Sequence, residues 1–283
     1  MQYNGTCVDT FTGDECLSGI SPIQGTELCA VAELMYSMEH LYAGSGDPYW
    51  AERLETVACN AFFAAVSDDM WAHQYDQMAN QISCERFPGK AIFRTNGPES
   101  HLFGLEPNFG CCTANFNQAL PKFALSAFYR DGDTVTSASL IPSVLTTDIG
   151  TVSLETEYPF KKRLKYTVRA KKDFCLRVRI PSFCQKAVCD GKETAREPYL
   201  SFSLTAGEER EIGIELFYEP VLTDRPNRMK TLKYGPLVFS LPIAYEKKMR
   251  EYTDAGVERK FPYCDYEYVG KSEWRYGFAG STF

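Results

Sequence analysis

Asn108-Phe109-Gly110-Cys111-Cys112-Thr113-Ala114-Asn115-Phe116-Asn117-Gln118 sets two adjacent thiols directly before an apolar, helix-like run. Neighbours joined by a trans peptide have Cα atoms ~3.8 Å apart, closer than ordinary disulfide geometry allows. A bond between Cys111 and Cys112 would be strained, which leaves metal ligation, reactivity or plain burial. Taken alone, a cysteine pair is more often simply buried. The run after it reads as a helix from Cys112 or Thr113 to about Phe128, with Pro121 either kinking it or opening a new segment. Both thiols then lie at a helix N-terminus, where the dipole and free N–H groups favour thiolate. A second cluster upstream, Glu27-Leu28-Cys29, is what raises the metal reading.

That upstream cluster opens another helix. Thr26 is a good N-cap, and Leu28, Val31, Ala32, Met35, Met38 and Leu41 form a 3.6-residue stripe to about Tyr42. Glu27 and Cys29 fall in its first turn, where the bland reading is an acidic residue plus a buried thiol. Asp47-Pro48 caps and restarts the chain. A second helix follows to about Ala65, with Leu54, Val57, Ala58, Ala61 and Phe62 inward, so the two make an αα-hairpin. Residues 1–25, rich in Gly, Thr, Ser and Asp, read as loop, and Glu15 within them as a solvated acid. Between residues 68 and 109 the helical period fails. Met70–Tyr75 reads as a strand, and His73 as a satisfied histidine beside Trp71 rather than a ligand. His101 is a polar residue within reach of the cysteine pair.

After Tyr129 the texture changes. Residues 135–140, 151–154, 163–168, 175–180, 211–217 and 237–241 alternate with period two and are separated by turns such as Asp190-Gly191. Short strands at this spacing imply an antiparallel β-sandwich. Lys171, Lys172, Arg177 and Arg179 alternate with apolar residues and read as a solvated sheet face. The fold class is therefore α+β and multidomain, helices over 1–132 and a β-sandwich domain over 133–283.

The 283 residues suffice for one large or two ordinary domains. A net charge of −7 argues against a nucleic-acid partner, and no apolar run approaches the ~20 residues of a membrane span. Eleven cysteines, an odd number at irregular spacing, read as reduced thiols with one metal site rather than a secreted framework. Together with a start that lacks the features of a signal peptide, this leans to the cytoplasm. Glu27, Cys29, Cys111 and Cys112 offer three sulfurs and one oxygen, a set that suits tetrahedral Zn²⁺ if the two helix starts pack side by side. Four-ligand sites are usually structural, so structural zinc is the default on these residues alone.

Four runs occur in order: Gly25-Thr26-Glu27-Leu28-Cys29-Ala30-Val31-Ala32-Glu33, then 109–118, Arg179-Ile180-Pro181-Ser182-Phe183, and Tyr234-Gly235-Pro236-Leu237-Val238. Together they resemble the β-L-arabinofuranosidases of glycoside hydrolase family 127 and the related family 146, over nearly the whole chain. The resemblance implies a retaining glycosidase, an (α/α)6 barrel followed by β-sandwich domains, acting on plant-derived arabinofuranosides or related oligosaccharides. It implies zinc held by Glu27, Cys29, Cys111 and Cys112, with Cys111 also the nucleophile. The general acid/base falls on Glu15, where Asp14-Glu15 matches the family's loop. Members of the family are longer, and the barrel needs more helices than the three or four read here. The chain is thus expected to be the C-terminal part of such a barrel, its N-terminal half missing. The alternatives are a zinc-stabilised sugar- or protein-binding module without turnover, and a glycosidase for another rare sugar.

Overall fold

The computed structural model describes residues 5–11, 16, 19–87, 93, 96–104, 110–194 and 196–280. Among the described residues the α-helices come before residue 126, and the long strands follow. Thr26–Glu27 is a short strand, β1, paired antiparallel with β2, Asp76–Gln77. Helix α1 spans Leu28–Ser45 and α2 spans Pro48–Val57. The Asp47 side chain accepts from the Tyr49 N–H at 3.0 Å, and Pro48 takes the first turn, where no N–H is needed. Beyond α2 the chain widens into a π-turn, Ala58–Phe62. This turn aims Asn60 at residues 236–238, distant in sequence. Its side chain donates to Pro236 O and accepts from Val238 N–H, each at 2.8 Å. Helix α3, Gly110–Leu125, runs through Pro121 without a break and packs along α1.

Three sequence expectations about these helices need correcting. Glu27 lies at the N-cap of α1 rather than in its first turn, because β1 holds it extended. Leu41 is exposed; the buried stripe continues through Met38 to Tyr42 instead. Helix α3 stops at Leu125 because Phe128–Asp131 is already strand β3, hydrogen-bonded to β4, Thr134–Ser137.

The remaining strands are β5 (Ser143–Thr146), β6 (Gly150–Thr156), β7 (Arg163–Ala170), β8 (Phe174–Arg179), β9 (Lys186–Cys189), β10 (Lys192–Glu193), β11 (Tyr199–Leu204) and β12 (Glu209–Phe217). They form a six-stranded sheet ordered β10-β9-β12-β7-β6-β5 and a four-stranded sheet ordered β11-β8-β4-β3. Leu164, Tyr166, Val168, Ile212 and Ile214 of the first share one core with Val135, Leu176 and Val178 of the second. Their alternation with outward polar residues is what makes two faces from each strand. One pair, β4 with β8, is parallel. Asp190 and Gly191, both at positive φ, close the β9–β10 hairpin, the geometry an Asp-Gly turn favours.

Part of the outer face of the four-stranded sheet lies under α1 and α2, which meet it at Tyr129 and Arg179. Arg179, expected on a solvated face, is fully buried there. Its Nη2 lies 2.5 Å from Glu55 Oε2 of α2, and its Nε donates to Ala138 O at 2.6 Å. Glu55 also accepts from the Leu140 N–H at 2.6 Å and the Tyr158 hydroxyl at 3.1 Å. The alternation was read correctly; what sequence could not show is that α2 packs over the end of β8.

Beyond β12, strands β13 (Val221–Asp224), β14 (Lys230–Tyr234) and β15 (Leu237–Val238) form a small sheet, β15 being shorter than the 237–241 run suggested. Strand β16 (Tyr245–Arg250) then pairs with β19 (Asp265–Gly270), enclosing the hairpin of β17 (Tyr252–Asp254) and β18 (Val257–Arg259). Bridges Cys84–Tyr268 and Phe103–Tyr266 tie β19 back to the segment between α2 and α3. Among the described residues no helix is long and apolar enough to cross a membrane.

Candidate metal centre

The site is built where α1 and α3 begin. Side-by-side packing of the two helices brings their first turns together. The β1–β2 pairing, extended by Leu28 N–H donating to Tyr75 O at 2.9 Å, sets the angle at which Glu27 enters α1. Directly opposite Glu27 in that pair stands Asp76, completely buried. Gly25 lies flat against it: a Cβ there would sit 2.8 Å from Asp76 Oδ1 and 2.9 Å from the Phe93 ring.

Glu27, Cys29, Cys111 and Cys112 each offer one ligand atom, and all four atoms lie within 4.8 Å of one another. Cys29 Sγ and Cys112 Sγ are 3.4 Å apart. Two thiolates on one tetrahedral zinc, with bonds of ~2.3 Å, stand ~3.8 Å apart, so the cluster closes on an ion with small movements. The protonation pattern fits as well. The Cys29 thiol is pulled well below its ordinary range, first by the hydrogen bond from Cys112 and then by Asn115, Cys111 and Glu27, against the opposing effect of burial. Cys112 is pushed far up by the Cys29 thiolate and by burial, and Cys111 up by burial and Cys29. Ionising all three sulfurs at this separation therefore calls for a cation beside them. Residues rich in thiolate with one carboxylate suit such a cation, so the quartet can hold a metal ion.

The vicinal cysteines are not equivalent. Consecutive residues of an α-helix point ~100° apart. Cys112 faces α1 and is fully buried, while Cys111 is exposed.

His73 and His101 stand apart from the quartet. His73 Nε2 lies 2.8 Å from Thr113 Oγ1, next along α3 from Cys112, and its backbone bridges Val66 and Gly104. His101 is buried against Phe87 and Phe93 with Nε2 2.5 Å from Glu85 O, and burial pushes its pKa down. Glu15, the acid/base implied by the resemblance, lies outside the described residues. Sequence reading passed over Asn115, although it stands four residues after Cys111 on the same helix face, a spacing that brings side chains together. It also passed over Asp76, whose place opposite Glu27 depends on a pairing fifty residues long in sequence, for which no local pattern exists.

No family model matches the sequence, and no curated protein matches it either. Solved structures do. A GH127 β-L-arabinofuranosidase from Geobacillus stearothermophilus T6 superposes with a TM-score of 0.61 at 14% identity, covering 90% of this chain and 46% of that one. A glycoside hydrolase gives 0.68 at 15% identity, covering 100% and 55%. A further GH127 β-arabinofuranosidase gives 0.65 at 13% identity, covering 94% and 51%. The chain has the fold of part of a GH127 hydrolase. It spans about half the length of the solved structures it matches. At this level the resemblance read from the four motifs holds: a few helices followed by a region rich in antiparallel sheet recur in the GH127 fold. Identities this low speak for the fold, and the chemistry is argued from the quartet.

Proposed function

We propose that this chain bears the metal–thiolate catalytic site of a retaining glycosidase, a β-L-arabinofuranosidase acting on plant-derived arabinofuranosides. In this reading residues 1–132 are the C-terminal part of an (α/α)6-barrel catalytic domain and 133–283 a β-sandwich domain. The remaining barrel helices would come from further polypeptide. The observation that carries the reading is the asymmetry at the start of α3, an exposed sulfur at Cys111 beside a buried one at Cys112. A purely structural site has no use for an accessible sulfur, whereas a nucleophile must reach substrate.

Glu27, Cys29, Cys111 and Cys112 would hold Zn²⁺, and the ion, when bound, keeps its thiols deprotonated at neutral pH and fixes them in place. Cys111 Sγ attacks the anomeric carbon; the C–S bond forms as the glycosidic C–O bond breaks, and Glu15 donates a proton to the leaving oxygen. Glu15 then takes a proton from water, whose oxygen displaces Cys111 and releases the sugar with retained configuration. Cys112, Asn115 and the α1–α3 packing hold the nucleophile's helix in register throughout.

The test is turnover of a chromogenic β-L-arabinofuranoside, combined with mass spectrometry of the protein after reaction with an activated arabinosyl donor. The reading expects release of the chromophore and an arabinosyl adduct on the Cys111 peptide. Turnover by Cys111→Ala refutes the nucleophile. The second reading is a zinc-stabilised sugar- or protein-binding module. It draws on the fact that three sulfurs and one oxygen fill a tetrahedral shell, as in closed structural sites. The isolated chain can be inactive on the first reading too, so turnover is measured on the enzyme complete with the remaining barrel helices; one zinc bound and no turnover there favours the second reading.

A further inference from the structure

Trp71 is 42% exposed although its indole N–H is bonded to Pro262 O at 3.0 Å. The ring is therefore fixed, with much of its surface in solvent. Tyr263, 58% exposed, stands beside it with centroids 6.2 Å apart and planes at 47°, so the two rings open outward like a shallow corner. Asp69 lies two residues before Trp71, exposed on the same turn. Its Oδ1 accepts from the Ser67 hydroxyl at 2.6 Å and the Trp71 N–H at 3.0 Å, which fixes the carboxylate on the same turn as the indole. Those two bonds hold its pKa below the usual carboxylate range.

This corner is rigidly connected to the metal centre. Two residues beyond Trp71, His73 reaches Thr113 on the first turn of α3. On the other side, β19 bridges Phe103 through Tyr266, and Gly104 bridges His73. Both walls of the corner thus lead by short hydrogen-bonded links to the helix that carries Cys111 and Cys112.

We propose that Trp71, Tyr263 and Asp69 form a stacking subsite for a sugar ring of the oligosaccharide whose arabinofuranosyl end occupies the metal centre. The inference rests on the glycosidase reading and deepens it. A sugar ring presents an apolar C–H face with hydroxyls around its edge. Fixed aromatic faces bury the first, and a fixed acceptor takes hydrogen bonds from the second. Because indole and carboxylate are both held in place beforehand, little ordering remains to oppose binding.

The chain is titrated with arabinan oligosaccharides, and with cellohexaose in parallel, by calorimetry and tryptophan fluorescence. Metal content and far-ultraviolet circular dichroism are measured on each variant. The expected result is saturable binding of the arabinan oligosaccharides that quenches fluorescence. Trp71→Ala and Tyr263→Ala should each weaken it by about tenfold or more, with metal content and fold retained. Asp69→Asn, an exposed change that leaves the turn's shape, should weaken it less and in the same direction. Equal affinity in Trp71→Ala, or no saturable binding of any oligosaccharide by the wild-type chain at millimolar concentration, overturns the subsite. Trp71-dependent binding without turnover of the chromogenic arabinofuranoside, once the polypeptide that supplies the remaining barrel helices is present, refutes the hydrolase reading and leaves the subsite standing. Turnover with binding indifferent to Trp71 does the reverse.

Discussion

Replacing Glu55 by Gln tests whether the joint between α2 and the four-stranded sheet is an ion pair on which folding depends. Arg179 is fully buried, and Glu55 nearly so. In the native protein one carboxylate serves three groups: the Arg179 guanidinium, the Leu140 N–H and the Tyr158 hydroxyl. The next carboxylate, Glu52, is 4.0 Å from Nη1 and engaged with the Ser182 N–H and hydroxyl. An amide keeps the shape of Glu55 but has one acceptor oxygen for those three donors, and its NH₂ group points a donor at donors. Breaking a buried pair from one side typically costs about 3–5 kcal/mol, and the amide's remaining acceptor places the expected loss near the lower value. That is a large part of the 5–15 kcal/mol that ordinarily separates folded from unfolded chains. Urea denaturation followed by tryptophan fluorescence and far-ultraviolet circular dichroism reads it as a lower midpoint at unchanged slope. Replacing both partners, Glu55→Leu with Arg179→Met, removes the uncompensated charge and should lose less than the sum of the single changes, by about 2 kcal/mol or more. A Glu55→Gln midpoint within about 0.5 kcal/mol of wild type would falsify the view that the buried charge needs its partner.

Glu39 on α1 is buried, and burial raises its pKa to about 7 against the partial offset of Ser126 and Lys122. A carboxyl whose folded pKa is raised destabilises the fold once ionised, so stability falls as pH rises from about 4.5 to 7. Glu39→Gln should match wild type near pH 4 and exceed it by about 1–3 kcal/mol at pH 8, read from denaturation midpoints at the two pH values. Cys112→Ser should lower the metal content of purified protein from about one ion per chain to a small fraction, measured by mass spectrometry of the digested protein; full retention removes Cys112 from the ligand set. Gly25→Ala forces a Cβ against the buried Asp76 carboxylate, so it should cost about 1–3 kcal/mol and weaken metal binding by shifting β1 and Glu27. An unchanged melting temperature and metal content would show that β1 does not set the position of that ligand.

The grouping of the four candidate ligands was legible in sequence because they come as two short clusters, each at a helix start. Glu27-Leu28-Cys29 and Cys111-Cys112 need only one tertiary fact, that α1 packs on α3, and the apolar stripes of both helices already imply a partner. The period-two strands and the Asp47-Pro48 restart were legible for the same reason, since their causes are local. What escaped was set by partners far along the chain. Arg179 alternates correctly with Leu176 and Val178 but is buried because α2 lies across it. The parallel β4–β8 pair, the two-residue β1–β2 ladder and the bridges from β19 to residues 84 and 103 join segments whose own patterns say nothing about one another. The π-turn at Ala58–Phe62 was invisible because its apolar residues continue the helical stripe.

The same reasoning explains why adjacent cysteines, rather than cysteines a turn apart, stand at the head of α3. Thiols spaced by three or four residues share a helix face and would both be buried against α1 or both exposed. A ~100° step between neighbours divides the pair, so that one sulfur belongs to the buried core that also holds Met35 and Phe62 while the other stays at the surface. On the proposed reading the buried thiol keeps the site assembled and the exposed one is left accessible to an electrophile. Rigidity and access would then be met by consecutive residues, and substitutions at the two positions should fail differently: Cys112 through assembly of the site, Cys111 through its chemistry.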